Sequence, residues 1–459
     1  MVLPVAAVLL ALAVGQSDGS RDRRAGDGTA APAAQTPGQT PGQAPAQAPA
    51  TEETRPAAAT TDFTGPPGVP YMPTVGPPGG AASGVFLGVA LLSEVRVRTL
   101  AVTDAATTWG TDLEVTPGIA LEVGSPRFSL SLGYAPRLTV PFDVGSLELA
   151  VLNRATLRSA WRAGELWTVT ALGLFVVGDY SQLIPASTPG GVGPPPPVLN
   201  PVRSFQTYPY VGIDTLLRVE GDLSPRTRLR VAGGYFDVGG TGTVGEAIQP
   251  RAWGPQGEGS FAWDASRNAT LTTTAAGQDW IMSGREYFFI ATITEGWRQS
   301  WTAELDTTVL AGAGLSNREV ESRTAAGKVV PVAGLRLDYH PVSPQALRLI
   351  LDLALSPFFD TYARIPYQRF TIGGSLDWRP SDAWQVGASL SAAIAPYTVR
   401  APESYGTAGL SASYSPVSFL VLSIGGFGQA QFQGPTAGGG AFRQWTAYFS
   451  LGLRDRISL

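Results

Sequence analysis

Cysteine is absent and histidine occurs once in 459 residues. The first absence excludes a disulfide framework, a Cys-ligated zinc and a cysteine-linked lipoprotein anchor. The second excludes a multi-histidine metal site. Charge is also scarce, at 15% of residues, against about 25% in soluble globular domains. The balance is slightly acidic, with a formal net charge of −4, so there is no basic footprint for nucleic acid. No apolar run is long enough for a membrane-spanning helix. Low charge without such a run is the feature that a fold must explain.

What is abundant is glycine, with 55 residues, and proline, with 38. Residues 1–15 read as a signal peptide. An apolar stretch runs from Val2 to Val14, broken by Pro4, and Ala13, Val14 and Gly15 offer a small-x-small cleavage pattern. The stretch lacks the usual basic lead-in. Residues 16–83 carry no packing pattern. Thr36-Pro-Gly-Gln is followed by Thr40-Pro-Gly-Gln and Ala44-Pro-Ala-Gln. Such a segment cannot bury enough apolar surface to offset chain entropy, so a disordered linker is expected. Fully extended, it reaches roughly 190 Å at about 3.1 Å per residue. It is either a passive spacer or a periplasmic tether.

From residue 84 to 459 the period is two. Leu113, Val115, Ile119, Leu121 and Val123 oppose Asp112, Glu114, Thr116, Gly118, Ala120 and Glu122. Leu347, Leu349, Leu351, Leu353 and Leu355 oppose Arg348, Ile350, Asp352 and Ala354. Each segment is a strand with one apolar and one mostly polar face. About eighteen such segments fit, at roughly twenty residues each, and sixteen also fit. Strands of that length suit membrane crossing better than a soluble sheet. The segments 249–263 and 267–280 alternate worst.

Two further signals do not use the alternation. Tight turns, such as Ser125-Pro126, Leu223-Ser224-Pro225 and Ser381-Asp382, alternate with longer loops at Gln182 to Val202, Gly239 to Ile248, Asn317 to Gly327 and Gly434 to Ala441. Membrane barrels pair short periplasmic turns with longer external loops. Six tryptophans flank the tight turns on the apolar phase: Trp161, Trp167, Trp297, Trp301, Trp378 and Trp384. An indole favours the membrane interface, so these six are expected as a lipid-interface girdle. Prolines such as Pro117, Pro136, Pro331 and Pro357 fall within strand bodies, where a closed barrel has no edge to hold them.

On these features the chain resembles Gram-negative outer-membrane β-barrel, porin-like proteins of the high-GC myxobacterial type. Lys328 is the single lysine, and Phe449, Leu451, Leu453, Ile457 and Leu459 keep an alternating apolar phase to the end. The resemblance implies an all-β fold: a transmembrane, antiparallel, up-and-down β-barrel after a disordered Pro-rich segment. It implies a place in the bacterial outer membrane, with both termini periplasmic. Its partners would be outer-membrane lipid, the barrel-assembly machinery and small hydrophilic solutes.

The polar phase carries the candidate lumen-lining residues. They are Glu94, Arg96, Arg98, Glu114, Glu122, Arg154, Arg158, Asp214, Arg218, Arg228, Arg230, Glu304, Asp306, Arg336, Arg348, Asp352, Arg369 and Asp377. The signs are mixed. They form either a lattice of wall salt bridges or a cross-lumen field that orients polar solutes. The Pro-rich loop from Ile184 to Pro201 either folds into the lumen or caps it. His340, in Asp338-Tyr-His-Pro, is the lone candidate for hydrolytic chemistry. No cofactor, metal or catalytic set is expected.

Three function classes follow. The first is a porin-like channel for passive diffusion. The second is an envelope scaffold, or the barrel component of a secretion or envelope complex. The third is a surface hydrolase at His340. A soluble multi-sheet protein is the structural alternative. Fractionation with the outer membrane and heat-modifiable gel migration are expected; a soluble, heat-insensitive chain would eliminate the barrel.

Overall fold

The computed structural model describes residues 84–102, 108–142, 149–181, 207–248, 250–283, 286–320, 323–341, 346–360, 365–394, 404–433 and 442–458. The expected signal peptide, linker and loop 184–201 lie outside the described residues.

Nineteen strand segments follow one another. They are β1 (Gly84–Val102), β2 (Thr108–Gly124), β3 (Phe128–Tyr134), β4 (Arg137–Pro141), β5 (Ala150–Ala163), β6 (Trp167–Ser181), β7 (Thr207–Ser224), β8 (Thr227–Gly240), β9 (Ala252–Ser266), β10 (Ala269–Met282), β11 (Glu286–Ser300), β12 (Leu305–Val320), β13 (Arg323–Tyr339), β14 (Ala346–Asp360), β15 (Ile365–Ser381), β16 (Trp384–Ile394), β17 (Ser404–Val417), β18 (Leu420–Gln433) and β19 (Phe442–Ser458). β3 and β4 are two halves of one wall strand. Both pair with β2 on one side and β5 on the other, without a register shift. The nineteen segments thus build an eighteen-strand antiparallel wall. β1 and β19 close it through seventeen register pairs, from Phe86 with Ser458 to Val102 with Phe442.

The alternation in the sequence becomes two faces of opposite chemistry. In β1, Glu94, Arg96 and Arg98 are 1%, 5% and 2% exposed, while the intervening Val95 and Val97 are 45% and 40% exposed. Side chains inside a closed curve crowd together, and those outside splay apart. The buried charged phase is therefore the inner face, and the exposed apolar phase faces outward. This inverts a soluble protein and matches a wall with lipid outside.

Tryptophans mark the height of the apolar band. Trp161, Trp167, Trp297, Trp378 and Trp384 stand on the outward phase near the tight turns. Trp263 joins them at the end of β9, and Trp301 sits in the turn before β12. Trp109, Trp253 and Trp445 occupy the outward phase at the opposite rim. In β9, Trp253 and Trp263 share the outward face ten residues apart. That is about 34 Å along the strand, or roughly 25 Å across a bilayer at the usual ~40° tilt. An outer-membrane apolar band has this height. Trp167 and Trp445 each oppose a glycine, Gly221 and Gly428. A Cβ there would lie 2.2 and 2.3 Å from the indole, so only glycine lets these rings lie against the wall.

The prolines collect at gaps in the ladders. The shared register of β3 and β4 with β2 sets Pro117 opposite Pro136. Two residues without an N–H thus meet at one point, and the strand splits there. Pro136, expected inside a strand body, instead lies in the gap between β3 and β4. Similarly, β13 and β14 pair from Tyr339 only as far as Ala333 with Leu355. Continued two residues further, this register would pair Pro331 with Pro357. The Gln368 amide donates to the Pro331 carbonyl at 2.7 Å across this seam.

Two expected loops differ. Residues 239–248 hold a short helix, α1 (Gly242–Ile248). Much of 317–327 is strand, with a register shift between Ser316 and Arg318. Leu410 faces outward, four residues from Tyr414, whose ring packs tilted against Trp384 at 4.7 Å between centroids. That places it about 10 Å inside the turn-side belt, near mid-membrane. Leu410→Arg should cost about 2–4 kcal/mol, and inward Thr274→Arg much less; urea unfolding in lipid vesicles measures both.

Candidate functional site

Following the register round the wall assigns every strand residue to a face, because direct cross-strand partners share one. Glu94, Arg96, Arg98, Glu114 and Glu122 lie on the inner face of β1 and β2. Arg154, Arg158, Asp214, Arg218, Arg228 and Arg230 lie on the inner face of β5, β7 and β8. Asp306, Arg336, Arg348, Asp352, Arg369 and Asp377 continue it on β12 to β15. Glu304 is the exception. It sits in the turn before β12, where its carbonyl accepts from the His340 N–H at 2.8 Å.

The densest charge is a buried network on β1, β2 and β4. Arg96 holds Glu114 at 2.6 Å and also contacts Glu94. Arg98 pairs with Asp112. Arg137 contacts the same Glu114 oxygen, Oε2, and Arg96 also donates to Oε1 at 3.0 Å. Elsewhere Arg230 meets Glu220 at 3.5 Å, Arg228 meets Asp264 at 3.2 Å, and Arg298 meets Asp306 at 2.7 Å. Arg336 lies 3.7 Å from Asp352. Asp214 accepts from Gln256 at 2.8 Å. Arg96 with Glu94 lies within β1 and Asp214 with Gln256 reaches across β8; the others join adjacent strands, so the contacts run along the wall and favour the lattice over the cross-lumen field. Arg137, Asp264 and Arg298 were not singled out from the sequence. Each was legible as a polar-phase residue beside a turn or a proline.

Charge is not wholly confined to the inner face. Glu295 points outward, where its carboxylate accepts from Thr273 at 2.9 Å. Conversely, part of the inner face is apolar. Phe236, Ala252, Trp280, Met282 and Phe288 form a buried inward cluster on β8 to β11, and Phe236 packs tilted against Trp280 with ring centroids 4.7 Å apart. The helix α1 folds over this rim. A Cβ on inward Gly240 would lie 2.0 Å from the Gly245 carbonyl oxygen, so glycine is required where helix and wall touch.

His340 follows β13 at the turn end. Its Nδ1 is 3.8 Å from Asp338. Asp338 is already gripped by Arg348, through hydrogen bonds of 3.0 and 2.5 Å. The carboxylate is thus committed to the wall lattice rather than to orienting an imidazole.

The EpsX exopolysaccharide export family matches residues 80–379. The chain belongs to this family. No curated protein matches it by sequence. Among solved structures it is similar to the FrpB iron transporter of Neisseria meningitidis (F5-1 variant). Identity is 9%, over 79% of this chain and 69% of that one, with a TM-score of 0.46. Pseudomonas aeruginosa OpdO is similar at 8% identity over 82% and 98% of the two chains, TM-score 0.43. P. aeruginosa OccK2 (OpdF), in complex with glucuronate, is similar at 8% identity over 80% and 98%, TM-score 0.44. The wall, its belts and its apolar height make this export-family member a bacterial outer-membrane barrel.

Removing one partner of a buried ion cluster leaves its counter-charges uncompensated. Glu114, fully buried between Arg96 and Arg137, is the keystone. Glu114→Ala should destabilise the barrel by about 3–5 kcal/mol. Arg228→Ala, at a partly exposed pair, should cost about 1 kcal/mol or less; thermal unfolding in detergent compares them.

Proposed function

We propose that this chain is the outer-membrane exit for an exopolysaccharide, the barrel component of a secretion complex. The observation that carries it is a polar-lined, eighteen-strand wall in a member of an exopolysaccharide export family. Barrels of sixteen to eighteen strands have room for an aqueous channel. A hydrated polymer can cross such a wall without burying its hydroxyl groups in lipid. The barrel supplies a path rather than energy, and the drive comes from the periplasmic side. In this reading the short turns and both termini face the periplasm, as in other outer-membrane barrels. The Pro-rich residues 16–83 then serve as a tether towards periplasmic components.

The expected cargo thereby changes from small solutes to a polymer. Deleting the gene should abolish surface polysaccharide and leave polymer inside the cell envelope, and the full chain should restore export. Unchanged surface polysaccharide in the deletion strain would refute the proposal. Free passage of small sugars in liposome swelling would then support simple diffusion.

A further inference from the structure

The inner wall is chemically lopsided. β16, β17 and β18 contain no Asp, Glu, Lys or Arg. Among the described residues they are the one run of three consecutive strands without charge. Their inner face is nevertheless rich in hydrogen-bonding groups. The register puts Gln385, Ser413 and Ser423 in one row across the three strands. Higher up, Ser391 and Thr407 face each other with their hydroxyls 2.6 Å apart. Phe427 stands on the same inner face, between these levels, opposite Gly409. Gln385 is exposed, and Ser413 and Ser423 are partly so. On β1 and β2, by contrast, the charged groups are buried and engaged with one another. At the edge of the sector the Gln385 amide donates to Asp377 of β15 at 3.4 Å, and within β16 to β18 themselves every hydrogen-bonding side chain is uncharged.

We propose that the inner face of β16 to β18 is the track that guides the glycan, and that the polymer meets it through uncharged sugar hydroxyls. This rests on the export reading above, although the sector lies beyond residues 80–379, the span matched by the family. The chemistry fits a moving carbohydrate. Serine, threonine and glutamine both donate and accept, so each can exchange partners with successive sugar hydroxyls. Neutral hydrogen bonds contribute little individually, about 1 kcal/mol, and so release their partner readily. Conduction needs binding that is weak and spread over several sites. Rows two residues apart recur about every 7 Å along a strand, so one chain would touch several at once. An aromatic ring among them offers an apolar face for the C–H side of a sugar. A charged wall would instead hold an ionic polymer at fixed points.

Isothermal titration of the full detergent-solubilised chain with maltohexaose tests this, with hexagalacturonate as the charged comparison. Because hydroxyl contacts tolerate any neutral sugar, maltohexaose should bind measurably, and hexagalacturonate more weakly. Combining Gln385→Ala, Ser413→Ala and Ser423→Ala should weaken maltohexaose binding about tenfold or more. Heat-modifiable migration verifies that this variant is folded. Thr272→Ala, Thr274→Ala and Thr292→Ala together, on inward positions of β10 and β11, should leave affinity unchanged. No maltohexaose binding by the parent chain, tighter hexagalacturonate binding, or equal affinity of the β16–β18 variant would each overturn the track. The export reading fails separately, if a deletion strain still displays polysaccharide.

Discussion

Inside hydrocarbon there is no water to pair with a backbone N–H or C=O, and each unpaired group costs several kcal/mol. The β1–β19 ladder answers this constraint by joining the first strand to the last. Without it, two long edges would open into lipid. Closure requires that every strand keep register with two neighbours. The prolines within strands show how strict this is. Pro117 meets Pro136, and Pro331 would meet Pro357, so donor losses are concentrated at shared gaps instead of being scattered through the wall.

Closure also dictates where charge can go. Lipid outside leaves the inner face for most of the Arg, Asp and Glu residues on strands. There they are crowded and desolvated, which makes them costly unless paired. Pairing, as of Arg96 and Arg137 with Glu114, offsets part of that cost. The β1–β2 network is buried in this way, while Arg228, Arg336 and Arg348 are paired yet partly exposed.

Much of the fold was legible. The strands begin and end within a few residues of where the alternation places them, since a period-two pattern with one buried face tolerates no slip. The six expected girdle tryptophans lie at the turn end. Trp263 and the opposite belt of Trp109, Trp253 and Trp445 were not legible, because they do not flank tight turns as pairs. The weak alternation around β9 and β10 has a physical cause. Their inner face carries Ala252, Trp280 and Met282, while Gly257, Gly259 and Thr273 face outward. Helix α1 is too short to show a helical stripe. Glu304 was read as wall because the alternation runs on through the turn.

Sequence alone determined the class of this protein: a period of two with apolar residues on one phase and tryptophans at the turns requires a sheet with lipid on one side. It also set which residues share a face, since that follows from parity along each strand. Only the tertiary structure decided how the faces close, which charges meet, and that three uncharged strands lie side by side. These depend on register between strands far apart in the chain, down to β1 against β19, and no local pattern encodes them. The contrast between a self-paired charged wall and a reachable hydroxyl wall exists only once the sheet is rolled shut.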